Sequence, residues 1–255
     1  MSLDVFKLNG KVALVTGGNR GLGCAMSSAL AEAGADVVLT SRDREKAQSR
    51  ATAIAQSTGR RTLGLEVDVT DQDQVENMVQ TVIEQFGRID ILINNAGINI
   101  RKPIDEFDEE SWDLVQNTNM KAPFLCTRAV AKHMKNQHYG RIINVSSMLG
   151  IIALPERGAY CSSKGGLIQF TKVVALELAP FNITVNALCP GPFATEINTQ
   201  VFNDPEASRF FLSRIALNRW GQPEELGGAT VFLASEASSF MTGSSLVIDG
   251  GYTAI

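Results

Sequence analysis

Tyr160 and Lys164 stand four positions apart in a stretch with helical character, so their side chains share one face. A tyrosine is a poor acid or base near neutral pH, because its reference pKa is ~10. A neighbouring ammonium favours the phenolate. At an effective dielectric of ~20, two unit charges ~4 Å apart interact by ~4 kcal/mol, an upper guide to that effect. A tyrosine placed beside a lysine can therefore move a proton to or from an oxygen that becomes an alkoxide. Ser147, thirteen residues before Tyr160, can donate a hydrogen bond to the same oxygen and stabilise its developing charge. His133 and His138 sit in a polar stretch near a predicted helix end and are assigned no chemistry.

A second cluster lies near the start of the chain. Gly17-Gly18-Asn19-Arg20-Gly21-Leu22-Gly23 follows an apolar run and opens a helical stretch. Gly17 and Gly21 can adopt tight-turn geometry and let a pyrophosphate approach the backbone, while the helix N-terminus offers N–H groups and partial positive charge. Gly23 allows the helix to pack closely on the strand. An acid at the end of the second strand would hydrogen-bond a ribose 2′-hydroxyl. That strand ends Leu39-Thr40-Ser41-Arg42, with no acid before Asp43. Arg20 and Arg42 can instead face a 2′-phosphate, which a guanidinium matches well. NADP(H) is expected to be preferred, with NAD(H) possible.

These residues require elements that bring positions 17–23, 147 and 160–164 together. Apolar runs at 11–16, 36–40, 62–67, 89–94, 141–146, 183–188 and 245–248 read as seven strands. They are apolar nearly throughout, as in a parallel sheet covered on both faces. Helical stretches are predicted at about 22–33, 43–57, 71–86, 109–135, 159–179 and 223–234. Thr70 reads as the N-cap of the third. The alternation predicts one doubly wound α/β Rossmann domain over 1–255, with a seven-stranded parallel sheet. The irregular stretch 190–217 is long enough to be a substrate lid.

The glycine spacing is G-x-x-x-G-x-G, and it resembles that of the short-chain dehydrogenase/reductase family. Asn94-Asn95-Ala96-Gly97, Tyr160-Cys161-Ser162-Ser163-Lys164, Ser147, Asn119, Pro190-Gly191 with Thr195, and Asp249-Gly250-Gly251 carry the same resemblance in the same order. It implies an NAD(P)-dependent oxidoreductase that interconverts a secondary alcohol and a ketone. It implies that Asn119, Ser147, Tyr160 and Lys164 are catalytic, with Asn119 holding a water in a proton relay and Lys164 also holding the nicotinamide ribose. It assigns Gly17, Asn19, Arg20, Gly21, Leu22, Ser41, Arg42, Asp68, Val69, Asn95, Ala96, Gly97, Tyr160, Lys164, Pro190, Gly191 and Thr195 to the cofactor, with Asp68 and Val69 at the adenine. The resemblance is sharpest to the gluconate 5-dehydrogenase and 2-deoxygluconate 3-dehydrogenase branch, through Arg101, Ser146-Ser147-Met148-Leu149 and Arg219-Trp220-Gly221. Arg101 and Arg157 can take a sugar-acid carboxylate bidentately, with Met148 lining the pocket, although Glu156 could neutralise Arg157. A 3-oxoacyl-carrier-protein reductase shares every catalytic motif and would dock an acidic carrier on Arg101, Lys102, Lys132 and Lys135. A non-catalytic NADP sensor or scaffold has no need of the intact catalytic quartet.

Composition excludes other classes. The 255 residues carry a formal charge of −4 and are 44% hydrophobic, without the basic patch of a nucleic-acid binder. No apolar run approaches membrane-span length, and residues 1–9 lack a signal-peptide pattern, so a cytoplasmic protein is expected. Cys24, Cys126, Cys161 and Cys189 are scattered, which argues for free thiols and no metal site. The family implies a homotetramer. Val115, Phe124, Leu125, Val130, Leu167, Phe170, Val174 and Leu178 exceed what one inner helix face needs.

Overall fold

The computed structural model describes residues 3–254, the side chains at 197, 200 and 202 excepted. Seven parallel strands form one sheet in the order β3-β2-β1-β4-β5-β6-β7. They are β1 (Val12–Val15), β2 (Asp36–Ser41), β3 (Thr62–Glu66), β4 (Ile91–Asn94), β5 (Gly140–Val145), β6 (Ile183–Pro190) and β7 (Ser245–Ile248). Every residue of β1, β4, β5 and β6 is buried. Helices on both faces produce this burial, and it explains why the strands read as apolar nearly throughout. One core packs Leu14, Val38, Leu92 and Ile142 beneath one helical layer; the other packs Val15, Leu39, Ile93 and Ile143 beneath the opposite layer. The strand order reverses between β1 and β4, which opens a crevice at their C-terminal ends.

Local chemistry sets the helix limits. α1 (Gly21–Glu32) begins after Arg20, and no side chain caps it. α2 (Arg44–Thr58) is capped by the Asp43 carboxylate, which accepts from the Lys46 N–H, and it ends at Gly59 with φ of 69°. α3 (Gln72–Phe86) is capped by Asp71, not by Thr70. The Thr70 hydroxyl donates to Asp68 instead, and the Asp71 carboxylate reaches the Gln74 N–H.

The long helix expected at 109–135 is three elements: α4 (Glu109–Gln116), a π turn (Asn117–Lys121) and α5 (Ala122–Gln137). Pro123 lacks the N–H that would bond the Asn119 carbonyl, so the ladder widens just before it. α6 (Gly158–Leu178) follows β5. After β6 come two short helices, α7 (Thr199–Asn203) and α8 (Pro205–Leu212). The expected 223–234 helix opens as a 3-10 turn (Pro223–Leu226) before α9 (Gly227–Ala234).

Of the apolar positions thought surplus to one face, Val115, Leu125, Val130, Leu167, Val174 and Leu178 are buried in the chain's own interior. Phe124 is exposed and Phe170 is half-buried. The apolar side chains that do face outward from these helices include Trp112, Leu114, Val173 and Leu176.

Candidate active site and dinucleotide cleft

A cleft of about 1160 Å³ lies over the C-terminal ends of the strands. Its floor is the glycine turn. Gly17 and Gly21 have φ of 63° and 51°, the left-handed region that a glycine adopts without strain. A Cβ on Gly23 would fall 2.3 Å from the Gly17 oxygen and 2.4 Å from Asn95 Nδ2, so only hydrogen fits there. Asn95 bolts the turn to the end of β4: its Nδ2 donates to the Thr16 and Gly17 carbonyls at 2.9 and 3.1 Å. Thr16 Oγ1 accepts from the Asn95 and Ala96 N–H groups at 3.0 and 3.1 Å. The uncapped N-terminus of α1 points into a backbone cradle, and this fits the pyrophosphate of a dinucleotide. Asn19 and Leu22 line the same wall.

At the end of β2 the acid nearest the strand is already engaged. Asp43 caps α2 and pairs with Lys46 at 2.9 Å, while Ser41 Oγ accepts from the Asp43 N–H. Arg42 is exposed on the cleft rim and, among the described residues, forms no ion pair. Arg20 turns the other way, where its Nη1 lies 2.7 Å from Glu196 Oε2. Asp68 and Val69 also line the cleft, with Asp68 Oδ1 held by the Thr70 N–H and hydroxyl. On the far side, β6 ends at Pro190. The Gly191 N–H donates to the Ile248 carbonyl, and a Cβ there would strike Asp249. Thr195 closes against Gly21 across the cleft.

Tyr160, Lys164 and Ser147 meet in one corner. Lys164 Nζ lies 5.6 Å from the Tyr160 ring centroid and donates to the Val145 carbonyl at 2.7 Å. Lys164 is buried, and burial holds its ammonium down at about 8. Burial also pushes the Tyr160 hydroxyl up, and a hydrogen bond with Ser147 opposes this. The expected lowering by Lys164 is not among the influences on Tyr160. The lysine nitrogen is turned to a backbone carbonyl, and desolvation dominates the phenol. Ser147 Oγ accepts from the Leu149 N–H, which fixes the turn behind it.

The Asn119 side chain, fully buried in the π turn, is hydrogen-bonded within the chain. Its Nδ2 donates to the Ile98 carbonyl and to Ser163 Oγ, both at 3.0 Å, and its Oδ1 accepts from the Ile98 N–H at 2.9 Å. It staples the loop after β4 to α6. A Cβ on Gly97 would lie 3.2 Å from Asn119 Oδ1 and 3.5 Å from Lys164 Nζ, so that loop runs directly over the lysine.

Two guanidiniums stand at the mouth. Arg101 is half-buried, and burial and the Arg157 charge together lower its pKa. Arg157 Nη1 donates to the Pro155 carbonyl at 2.8 Å, and the Glu156 carboxylate stays 4.0 Å away. Neutralisation by Glu156 is therefore loose. Met148 is buried beside Leu149, Ile215 and Tyr252, with Tyr160 packed against that cluster. Arg219 lies off the cleft and forms two 2.7 Å bonds with Glu225, while Trp220 packs on Phe211 of α8.

The sequence reading gave no role to Thr16 or Ser163, whose hydroxyls bond Asn95–Ala96 and Asn119, or to Thr40, Glu196 and Asn198, which line the cleft. Thr16 and Ser163 each adjoin a recognised motif residue, which is the signal that could have found them.

A family model described as enoyl-(acyl carrier protein) reductase matches residues 17–253. Cyclopentanol dehydrogenase of Comamonas testosteroni is 41% identical over 97% of this chain and 99% of its own. Gluconate 5-dehydrogenase of Gluconobacter oxydans is 41% identical over 98% of this chain and 97% of its own. Among solved structures, a gluconate 5-dehydrogenase of Burkholderia cenocepacia superposes with a TM-score of 0.97 at 38% identity, covering 100% of both chains. With cradle, tyrosine–lysine pair and sheet order all in place, the chain belongs to the short-chain dehydrogenase/reductase family.

Proposed function

We propose that the chain is an NADP-preferring dehydrogenase that interconverts a secondary alcohol and a ketone on a sugar acid. The observation that carries the substrate class is the Arg101–Arg157 pair. Both line the cleft that Tyr160 lines, and burial first and the Arg157 charge second lower the Arg101 pKa. A carboxylate seated between them relieves that repulsion and leaves the rest of the substrate facing the tyrosine. The Burkholderia relative was crystallised with NADP and tartrate, itself a hydroxy acid.

The nicotinamide supplies the hydride acceptor or donor. In the proposed roles, the Tyr160 hydroxyl moves the proton at the reacting oxygen, and Ser147 Oγ donates to that oxygen. Lys164 lies beneath the tyrosine and Asn119 fixes the loop above it. The glycine turn with Asn19, Leu22 and Asn95–Gly97 would hold the pyrophosphate side. Arg42 would take the 2′-phosphate, and the segment 190–217 would close over the substrate. Four unpaired cysteines suit a cytoplasmic location. The outward Leu114, Phe124, Val173 and Leu176 suit a closed homo-oligomer, with a tetramer expected by light scattering at micromolar concentration.

An acyl-carrier substrate is less well supported. Lys102 is paired with Asp108 and Lys135 lies over the Phe181 ring, so two of the four basic candidates are already engaged within the chain. Turnover across sugar acids, cyclic alcohols and ketones, and acyl thioesters, with both cofactors, tests the reading. Sugar acids should lead, and Arg101→Ala should raise their KM without affecting an uncharged alcohol. Turnover confined to uncharged alcohols or thioesters would overturn it. For the cofactor, Arg42→Ala should raise the NADP KM by roughly tenfold and leave NAD nearly unchanged. A charge-assisted bond contributes ~1.5–3 kcal/mol, reduced toward the lower end by solvent.

A further inference from the structure

The Arg20–Glu196 ion pair joins two walls of the cleft that are 176 positions apart in the chain. Arg20 is the residue before α1, at the lip of the phosphate cradle. Glu196 begins the turn that carries the chain from β6 into α7. Both residues line the cleft, and the neighbouring Thr195 comes within 3.8 Å of a Cβ built on Gly21. The contact between the walls thus extends from Gly21 and Thr195 out to a charged pair over the helix N-terminus.

We propose that Arg20 and Glu196 form a strap across the bound dinucleotide, making Glu196 a determinant of how long the cofactor is retained. This rests on the dinucleotide reading given above. The strap would lie above the pyrophosphate, which NADP(H) and NAD(H) share, so it holds both without discriminating. It also redefines Arg20: with its guanidinium on Glu196, the discrimination at the 2′ position falls to Arg42. The pair is open to solvent, with side chains 66% and 64% exposed. An exposed pair of this kind is weak and sensitive to salt, so it can open in every catalytic cycle. Glu196 is the only member of the pair outside the cradle, so changing it leaves the phosphate-binding backbone intact.

The test is the release rate of NADPH and of NADH, followed by stopped-flow fluorescence after a chase with oxidised cofactor. In Glu196→Gln, both rates should rise by roughly two- to fivefold. Arg20→Gln together with Glu196→Gln should be no faster than Arg20→Gln alone, because the second change removes a partner already lost. In the parent, NADH release should quicken with added salt, and in Glu196→Gln that dependence should flatten. The parent salt series tests the strap even if a variant folds poorly. Unchanged release of both cofactors would overturn the proposal. So would slower release of NADPH alone, since Glu196 would then be a competitor that keeps Arg20 from the 2′-phosphate. A parent that binds neither dinucleotide would overturn the cofactor reading and the strap with it.

Discussion

Burial decides the protonation of the two groups in the corner of the cleft. The Tyr160 hydroxyl is pushed up and the Lys164 ammonium is held at about 8, so each is biased toward its neutral form. A neutral phenol is the form that can donate a proton to a carbonyl oxygen, as reduction requires. Tyr160→Phe keeps the ring and removes that proton. Turnover should fall by about two to four orders of magnitude, with dinucleotide binding by fluorescence titration unchanged. Turnover within a few-fold of the parent would reject the assignment. These residues were legible from type and spacing, because a four-residue interval on a helix fixes which side chains are neighbours. The direction of the Tyr160 shift was not, because it depends on where the Lys164 nitrogen points, and that is set by the Val145 carbonyl of another element. The partners of the Asn119 amide were not legible either, because Ile98 and Ser163 come from a loop and a helix far off in the chain.

The elements show a similar division. Seven apolar runs became seven strands within a few residues, since a parallel strand covered by helices on both faces is mostly apolar. The breaks inside helices were harder to read. Pro123 was visible in the sequence, but apolar residues stand on both sides of it, and the π turn just before it buries Asn119. Thr70 and Asp71 are both good caps, and Asp68 decided between them by taking the threonine hydroxyl. The cradle was legible because close approach leaves a glycine, which is a sequence feature. Its tolerance can be measured. Gly23→Ala places a Cβ against backbone of the Gly17 turn, so the turn or α1 must shift. We expect a loss of about 1–3 kcal/mol in stability and dinucleotide affinity reduced by roughly tenfold or more. Gly228→Ala is the control: it also lies in a helix, in α9, with nothing within 4 Å of the added carbon. It should be neutral or raise the melting temperature slightly, because alanine favours a helix by ~1 kcal/mol. Equal melting temperatures and affinities for both variants would mean that the cradle is not tightly packed.

Across the whole molecule, buried charge is treated differently at the two ends of the sheet. At the N-terminal edge of the strands, the buried Asp90 carboxylate pairs with Arg88 and accepts from the Val12 N–H, and the buried Arg141 reaches Glu236 and the Ser235 carbonyl. At the C-terminal edge, Lys164 is buried with a carbonyl partner and, among the described residues, no carboxylate. The functional end therefore carries a stability deficit that the two apolar cores offset. Its size follows from the lowering of the ammonium from 10.5 to about 8, which amounts to about 3 kcal/mol near neutral pH. Below about pH 8 the folded and unfolded chains both hold the proton, and the full penalty is present. Between about 8 and 10.5 the unfolded chain binds more protons, so this group makes stability rise with pH until the penalty disappears. Buried groups such as Cys126, pushed up to about 12, act in the opposite direction in alkali, so the parent alone does not isolate the lysine. The difference between the parent and Lys164→Met does isolate it, because the other groups are common to both. Denaturant unfolding of both proteins at about pH 7.5 and about pH 9 should show the parent gaining about 1 kcal/mol on the variant over that interval. Loss of the bond to Val145 contributes a constant offset that cancels. A difference that does not change with pH would mean that Lys164 keeps an ordinary ammonium in the folded protein, and that water reaches it where the structure buries it.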